Sequence, residues 1–459
     1  MNIKKYISRF NLLTQRGRLG GGLLSHSFSL IRADKLFSGI YIAGTSVAIA
    51  SAMVIAIVMN ILMADIKPEV NRSRTLYIMN FFQKKSQENA TLEYCSTIAI
   101  DSCFRKMNCV EAVAALSDAY TIMDMEASDT TGQNVMPIIL YDTNPDIFRL
   151  YEYDFISGRP FSEKEFRDGN SVCVITDKLL PLTRGGDKIL VSGFPYRVVG
   201  VIKRMSAAMT GAAADVYIPY TSKAVSFDSE GKREQTVGIS YAGGLSVRIL
   251  LKKGFSRQDF LDELEPLRKH YEAVTSAQIG EPMSWTVMAK SHFFRQISHF
   301  NKNDKENATE MAVNLMPIII LMLLFLFLPA INLSGLVSNR METRRPEMGI
   351  RKAFGAKQGT LLSKVLFENL VLTLCGGAVG WVLSWIFICV MRDNILFKLI
   401  FQKEYMHNIA FDFDFQMCFT PTLFLICFVC CAVLNLMAAL IPAWRSLKSP
   451  IVESLNQKR

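Results

Sequence analysis

Few side chains in this sequence could do chemistry, and their spacing argues against most reactions they could serve. His292 and His299 lie seven positions apart, near one helical face, which is how a metal site can begin. Both are flanked by phenylalanine and lack a third ligand nearby, so a structural role is expected and no metal site is assigned. Gly349 and Gly355 bracket a basic segment, but they are misspaced for a phosphate-binding loop, and Lys357 does not directly follow the glycine. Gly20-Gly21-Gly22 has neither the lysine nor the hydroxyl of such a loop and reads as a flexible joint. H-E-x-x-H, paired C-x-x-C and G-x-S-x-G motifs do not occur. No pair of acidic residues is singled out by spacing for acid–base work. Cys103 and Cys109 are close enough in sequence to close a small disulfide loop, a pairing that with Cys95 and Cys173 stays open. A non-catalytic chain with no catalytic, cofactor-binding or metal residues of its own is the expectation.

One segment stands apart as a binding element: Arg344-Arg345-Pro346-Glu347-Met348-Gly349-Ile350-Arg351-Lys352-Ala353-Phe354-Gly355-Ala356. Pro346 presets φ for a first helical turn. Ile350, Ala353 and Phe354 follow i, i+3, i+4 and share a face, with Arg351 and Lys352 turned elsewhere. Gly355 is placed to end the helix in a left-handed cap. The segment reads as a rigid peg shaped to be pushed by another protein. A solvated basic loop that only satisfies the positive-inside rule is the competing reading.

The elements that must hold this peg are membrane spans. Half of the 459 residues are hydrophobic. Four windows, Phe37–Met63, Met311–Asn339, Asn369–Met391 and Phe415–Trp444, run uncharged for the roughly 20 residues a bilayer requires. The first has too long an apolar core for a signal peptide. Lys and Arg dominate residues 1–36, the loop 340–368 and the tail 445–459, whereas the loop 392–414 is balanced by Asp393, Glu404, Asp412 and Asp414. The positive-inside rule then puts both termini and the peg on the cytoplasmic side and residues 64–310 outside. This asymmetry explains the net charge of +10. Without interleaved aromatics, the basic segments do not suggest nucleic acid. The expected fold is an α-helical membrane protein with four transmembrane helices and a large α+β extracytoplasmic domain between the first two. A multi-pass membrane protein in contact with the lipid bilayer is expected.

Within the spans, small residues recur at Gly44 and Ala48 in the first helix and at Gly376, Gly377 and Gly380 in the third. That spacing lets helix backbones approach closely, within one chain or across a dimer. No span carries a central acidic or basic residue, which disfavours an ion pathway. Outside, helical stretches are expected at Cys109–Ala119 and Phe255–His270. Strands are expected at Pro137–Tyr141, Ser171–Thr176, Asp215–Tyr220 and Leu245–Lys252, and a hairpin at Ile189–Val191 and Tyr196–Lys203. Residues 293–308 read as a polar helical stalk.

The run Glu342–Ala356 resembles the R-R-x-E-I-G-I-R-K-A-L-G-A signature of the MacB/FtsX-type ABC transporter permeases, with Met348 and Phe354 replacing Ile and Leu. Glu368 sits where that family often has a glutamate. The tail Pro442–Leu455 is similar to the family ending P-A-x-x-A-x-x-x-x-P-x-E-A-L. Val198-Val199-Gly200-Val201-Ile202 and Asp215–Tyr220 look like strands of its MacB-like periplasmic core domain. The resemblance implies a homodimer or paired permease driven by a cytoplasmic ABC ATPase subunit that binds the ATP and Mg. Residues Arg345, Glu347, Met348, Gly349, Ile350, Arg351, Lys352, Ala353, Phe354, Gly355 and Ala356 would be its coupling helix. Mechanotransmission would then export or extract a periplasmic or membrane cargo, with a periplasmic adaptor or hydrolase as a further partner. The alternative is an FtsX-like signal relay that regulates an external cell-wall hydrolase without moving cargo.

Overall fold

The computed structural model describes residues 35–84, 91–117, 126–205, 211–222, 242–243, 245–298, 308–391 and 421–448. They divide into two compact units, one of Met1–Val58, Met316–Met391 and Cys418–Arg459, the other of Met59–Leu315 and Arg392–Met417.

The first unit is helical. Lys35–Met63 is one helix of 29 residues, about 43 Å long at 1.5 Å per residue, enough to cross a hydrocarbon core of about 30 Å. Ala308–Thr343, Gln358–Met391 and Pro421–Lys448 are the other long helices described. Among the described residues, three helices are long and apolar enough to span a membrane: Lys35–Ile61, Gln358–Val390 and Pro421–Ser446. The expected second span, 311–339, lies inside the helix Ala308–Thr343 but is not among those three. The third helix begins at Gln358, so residues 358–368, assigned from sequence to a loop, are helical. The loop 392–414, residues 1–34 and the tail from 449 lie outside the described residues.

The second unit is built on a fourteen-stranded mixed sheet. Its path runs Ala242–Gly243, Thr91–Cys95, Thr75–Lys84, Leu245–Leu251, Val110–Ser117, Leu140–Thr143, Val216–Pro219, Val172–Thr176, Phe194–Ile202, Lys188–Val191, Glu126–Ser128 and Val135–Pro137. Met283–Ser291 pairs along Thr75–Lys84, and Phe155–Gly158 along Phe194–Ile202. Two pairings are parallel, Val216–Pro219 with Leu140–Thr143 and Phe194–Ile202 with Val172–Thr176. The rest of the ladder is antiparallel, as expected of an α+β domain.

Two apolar cores lie along this sheet. In one, Phe104, Phe260 and Trp285 close under the helix Arg257–Ile279. That helix starts at a capping box in which Ser256 and Asp259 satisfy each other's backbone amides, and it ends at Gly280 in the left-handed region. The other core gathers Cys173, Ile175, Tyr196, Val216 and Ile218. The expected hairpin forms there, but its turn is Ser192-Gly193, at φ 48° and 83°, with Val191 opposite Phe194. Positive φ at both central residues is the twist-compatible two-residue turn.

Two local expectations are corrected, and the open question of the cysteines is answered. Residues 110–117, expected to be helical, form a strand between Leu245–Leu251 and Leu140–Thr143. Ala112 to Leu116 are buried on both faces, where small and β-branched side chains fit a central strand and burial overrides alanine's helix preference. The strand expected at Pro137–Tyr141 is broken at residues 138–139 into Val135–Pro137 and Leu140–Thr143. Cys95, Cys103, Cys109 and Cys173 are separate, buried thiols, packed as small apolar groups rather than bridged. Burial pushes the Cys103 thiol up to about 11, and burial with nearby Glu263 pushes Cys109 up to about 12.

Candidate functional site

The peg is a nine-residue helix, Arg345–Ala353, with proline in its first turn. Its end is a complete Schellman closure. The amide of Gly355, at φ 88°, donates to Lys352 O at 2.9 Å, and that of Ala356 to Arg351 O at 3.0 Å. Arg351 and Lys352 in the last turn face the negative end of the helix dipole. Partial burial holds the Lys352 ammonium below its usual range.

The helix has two unlike faces. Met348 and Gly349 are buried, with Met348 in an apolar cluster with Val337, Met341, Leu361 and Val365. On the other face Ile350 is 50% exposed and Phe354 88% exposed, and Ala353 is exposed beside them. Gly355 is also exposed, and Ala356 packs half-buried at the cluster edge. The side chains of Arg345 and Glu347 lie outside the described residues.

Glu368, noted in the sequence without a partner, clamps the base of this peg. It is 6% exposed and accepts from Arg344 Nη1 at 2.8 Å, with Arg340 at 4.0 Å. The guanidinium of Arg340 also lies 4.3 Å from the centre of the Phe37 ring. Sequence reading missed this ion pair. Its signal was an acidic residue just before an apolar run, 24 positions after an arginine.

Of the residues predicted for helix packing, Gly376 and Gly380 lie against the first helix. A side chain on Gly376 would meet Thr45 Cβ at 2.8 Å, and one on Gly380 would meet Ser46 O at 2.8 Å. Gly377 faces Phe428 in the same way. The glycine patch of the third helix is therefore occupied by the chain's own helices. Ala48 is buried and Gly44 half-buried on the first helix, next to the contact face Thr45, Ser46 and Ile49. His292 is buried, with Nδ1 3.0 Å from the Tyr77 hydroxyl, and His299 lies outside the described residues.

Two family models match the chain: the MacB-like periplasmic core domain over residues 38–267 and the FtsX-like permease C-terminal over residues 319–451. An uncharacterized ABC transporter permease, YknZ, of Bacillus subtilis is 24% identical over 49% of this chain and 50% of its own length. The macrolide export ATP-binding/permease protein MacB of Shewanella oneidensis is 23% identical over 71% of this chain and 44% of its own. The chain thus spans about half the length of these relatives. The solved periplasmic region of MacB from Actinobacillus actinomycetemcomitans matches with 13% identity and a TM-score of 0.33, covering 50% of this chain and 94% of that one. With a core-domain model over half of its length and a permease model behind it, the chain belongs to the MacB/FtsX family of ABC transporter permeases, membrane proteins with an extracytoplasmic core domain.

Proposed function

We propose that this chain is the non-catalytic permease subunit of an ABC transporter. A separate cytoplasmic ATPase, which binds the ATP and Mg, seats on Arg344–Ala356 and drives the extracytoplasmic domain mechanically. In this reading four helices cross the membrane, both termini are cytoplasmic, and the chain works as a homodimer or with a paired permease. The cargo is exported or extracted from the periplasm or the membrane.

The observation that carries the reading is Phe354. A phenylalanine 88% exposed at the end of a helix whose opposite face is buried has no stabilising role of its own. An aromatic anchor flanked by Arg351 and Lys352 suits a groove on a partner. The Schellman closure and the Arg344–Glu368 pair make the peg stiff enough to pass on a push.

Replacing Phe354 by Asp tests this. The variant is expected to reach the membrane and melt like the parent, while co-purification of the ATPase falls by about tenfold or more, as loss of a buried aromatic anchor should give. Retention of the ATPase at parental level would overturn the reading. Recovery of a cell-wall hydrolase with the external domain, with export unaffected by deletion of the chain, would reassign the output from cargo movement to signalling.

A further inference from the structure

A buried ionic knot lies within the second unit, at the C-terminal end of the helix Lys35–Met63. Carbonyls at a helix C-terminus lack helical partners. Here Arg72 supplies them, its Nη1 donating to Ile61 O at 2.6 Å and Ala64 O at 2.8 Å. Its Nε donates to Glu69 Oε2 at 2.7 Å. The other carboxylate oxygen of Glu69 accepts from the amides of Gly211 and Ala212, both at 2.8 Å. The two side chains are 2% and 0% exposed. Burial opposes ionisation of Glu69, but Arg72, His292 and the hydrogen bonds outweigh it and hold the carboxyl below its usual range.

The far end of the knot is equally tied down. Arg248 donates to Gly211 O and to the Tyr151 hydroxyl, and a side chain on Gly211 would lie 2.6 Å from that hydroxyl. The Ala214 amide donates to the Tyr217 hydroxyl, so the loop Gly211–Ala214 is pinned to the strand Val216–Pro219, which is buried throughout. That strand lies in the middle of the sheet, in the core around Cys173 and Ile175. An apolar contact can slide. A desolvated ion pair with its hydrogen bonds filled cannot separate without leaving a charge buried alone.

We infer that Glu69 and Arg72 form a positioning joint that makes the loop Gly211–Ala214, and with it the core around Val216–Pro219, follow the outer end of the first membrane helix. The joint rests on the mechanical reading above and names where a push from the cytoplasmic side enters the external domain. Arg72 holds the helix end and Glu69 holds the loop.

The test uses the full chain in lipid nanodiscs and reads hydrogen exchange at Gly211 and Ala212. Without any ATPase, Arg72→Gln is expected to speed exchange there by about tenfold or more, with Val113 and Ala115 in the other core unchanged and Arg72→Lys partly restoring protection. Unchanged exchange at Gly211 and Ala212, or an equal rise at Val113 and Ala115, would overturn the joint. With the ATPase bound, switching from no nucleotide to a non-hydrolysable ATP analogue is expected to shift exchange at Gly211–Ala214 in the parent and not in Arg72→Gln. The same shift in both would also overturn the joint. A parent that shows no shift, together with the tenfold change in the first experiment, supports the joint and instead sinks the ATP-driven reading of the chain.

Discussion

Asp142 lies within the strand Leu140–Thr143, in register with Ile218, and is 5% exposed. Its Oδ1 has no hydrogen-bond partner among the described residues. Burial pushes its carboxyl from 3.8 up to about 7. The native state therefore holds the proton more tightly than the unfolded chain. The stability this gives is full below about pH 4 and is lost as pH rises through about 7, a difference on the order of 4 kcal/mol. Asp142→Asn is expected to flatten the decline in melting temperature between pH 5 and pH 8 and to melt above the parent at pH 8. Thermal unfolding across that range checks it, and an unchanged slope refutes it. The sequence showed Asp142 only as one acidic residue among many, because its burial depends on strands far apart in the chain.

At the scale of elements, the peg was legible residue by residue. Pro346, the i, i+3, i+4 face and Gly355 are local signals, and the helix Arg345–Ala353 closes as they require. The strand Val110–Ser117 was not legible. Its Val-Glu-Ala-Val-Ala-Ala-Leu run suits a helix locally and becomes a strand because neighbours on both edges bury it. The glycines of the third helix sit between these cases: their spacing announced close packing, but the identity of the packing partner needed the fold. Gly380→Val is expected to destabilise the helical unit by about 1–3 kcal/mol, since its Cβ would lie 2.8 Å from Ser46 O. Gly39→Ala, with open space around it, is expected to stay within about 0.5 kcal/mol of the parent. Thermal melting in detergent measures both, and equal effects would refute the close-packing argument.

For the whole molecule, the proposed orientation predicts opposite labelling at two exposed positions. In intact cells a membrane-impermeant thiol reagent is expected to modify Lys252→Cys, in the external unit, and to spare Phe354→Cys until the cells are opened. Labelling of Phe354→Cys from outside would reverse the topology and remove the ATPase from reach of the peg. The native external thiols at Cys103 and Cys109 should contribute little signal, because burial keeps them protonated at neutral pH.

Hydropathy, charge asymmetry and short-range spacing determined from sequence alone that this is a membrane protein with a large folded insert and a basic, amphipathic peg. Each of those signals is carried by residues close in the chain, where solvent preference and helical period act directly. Only the tertiary structure decided that Arg344 meets Glu368, that Gly376 and Gly380 face the first helix, and that Glu69 and Arg72 join that helix to Gly211 and Ala212. Most of those pairings unite residues far apart in the chain, and what selects each is the cost of burying its polar groups or backbones without the other.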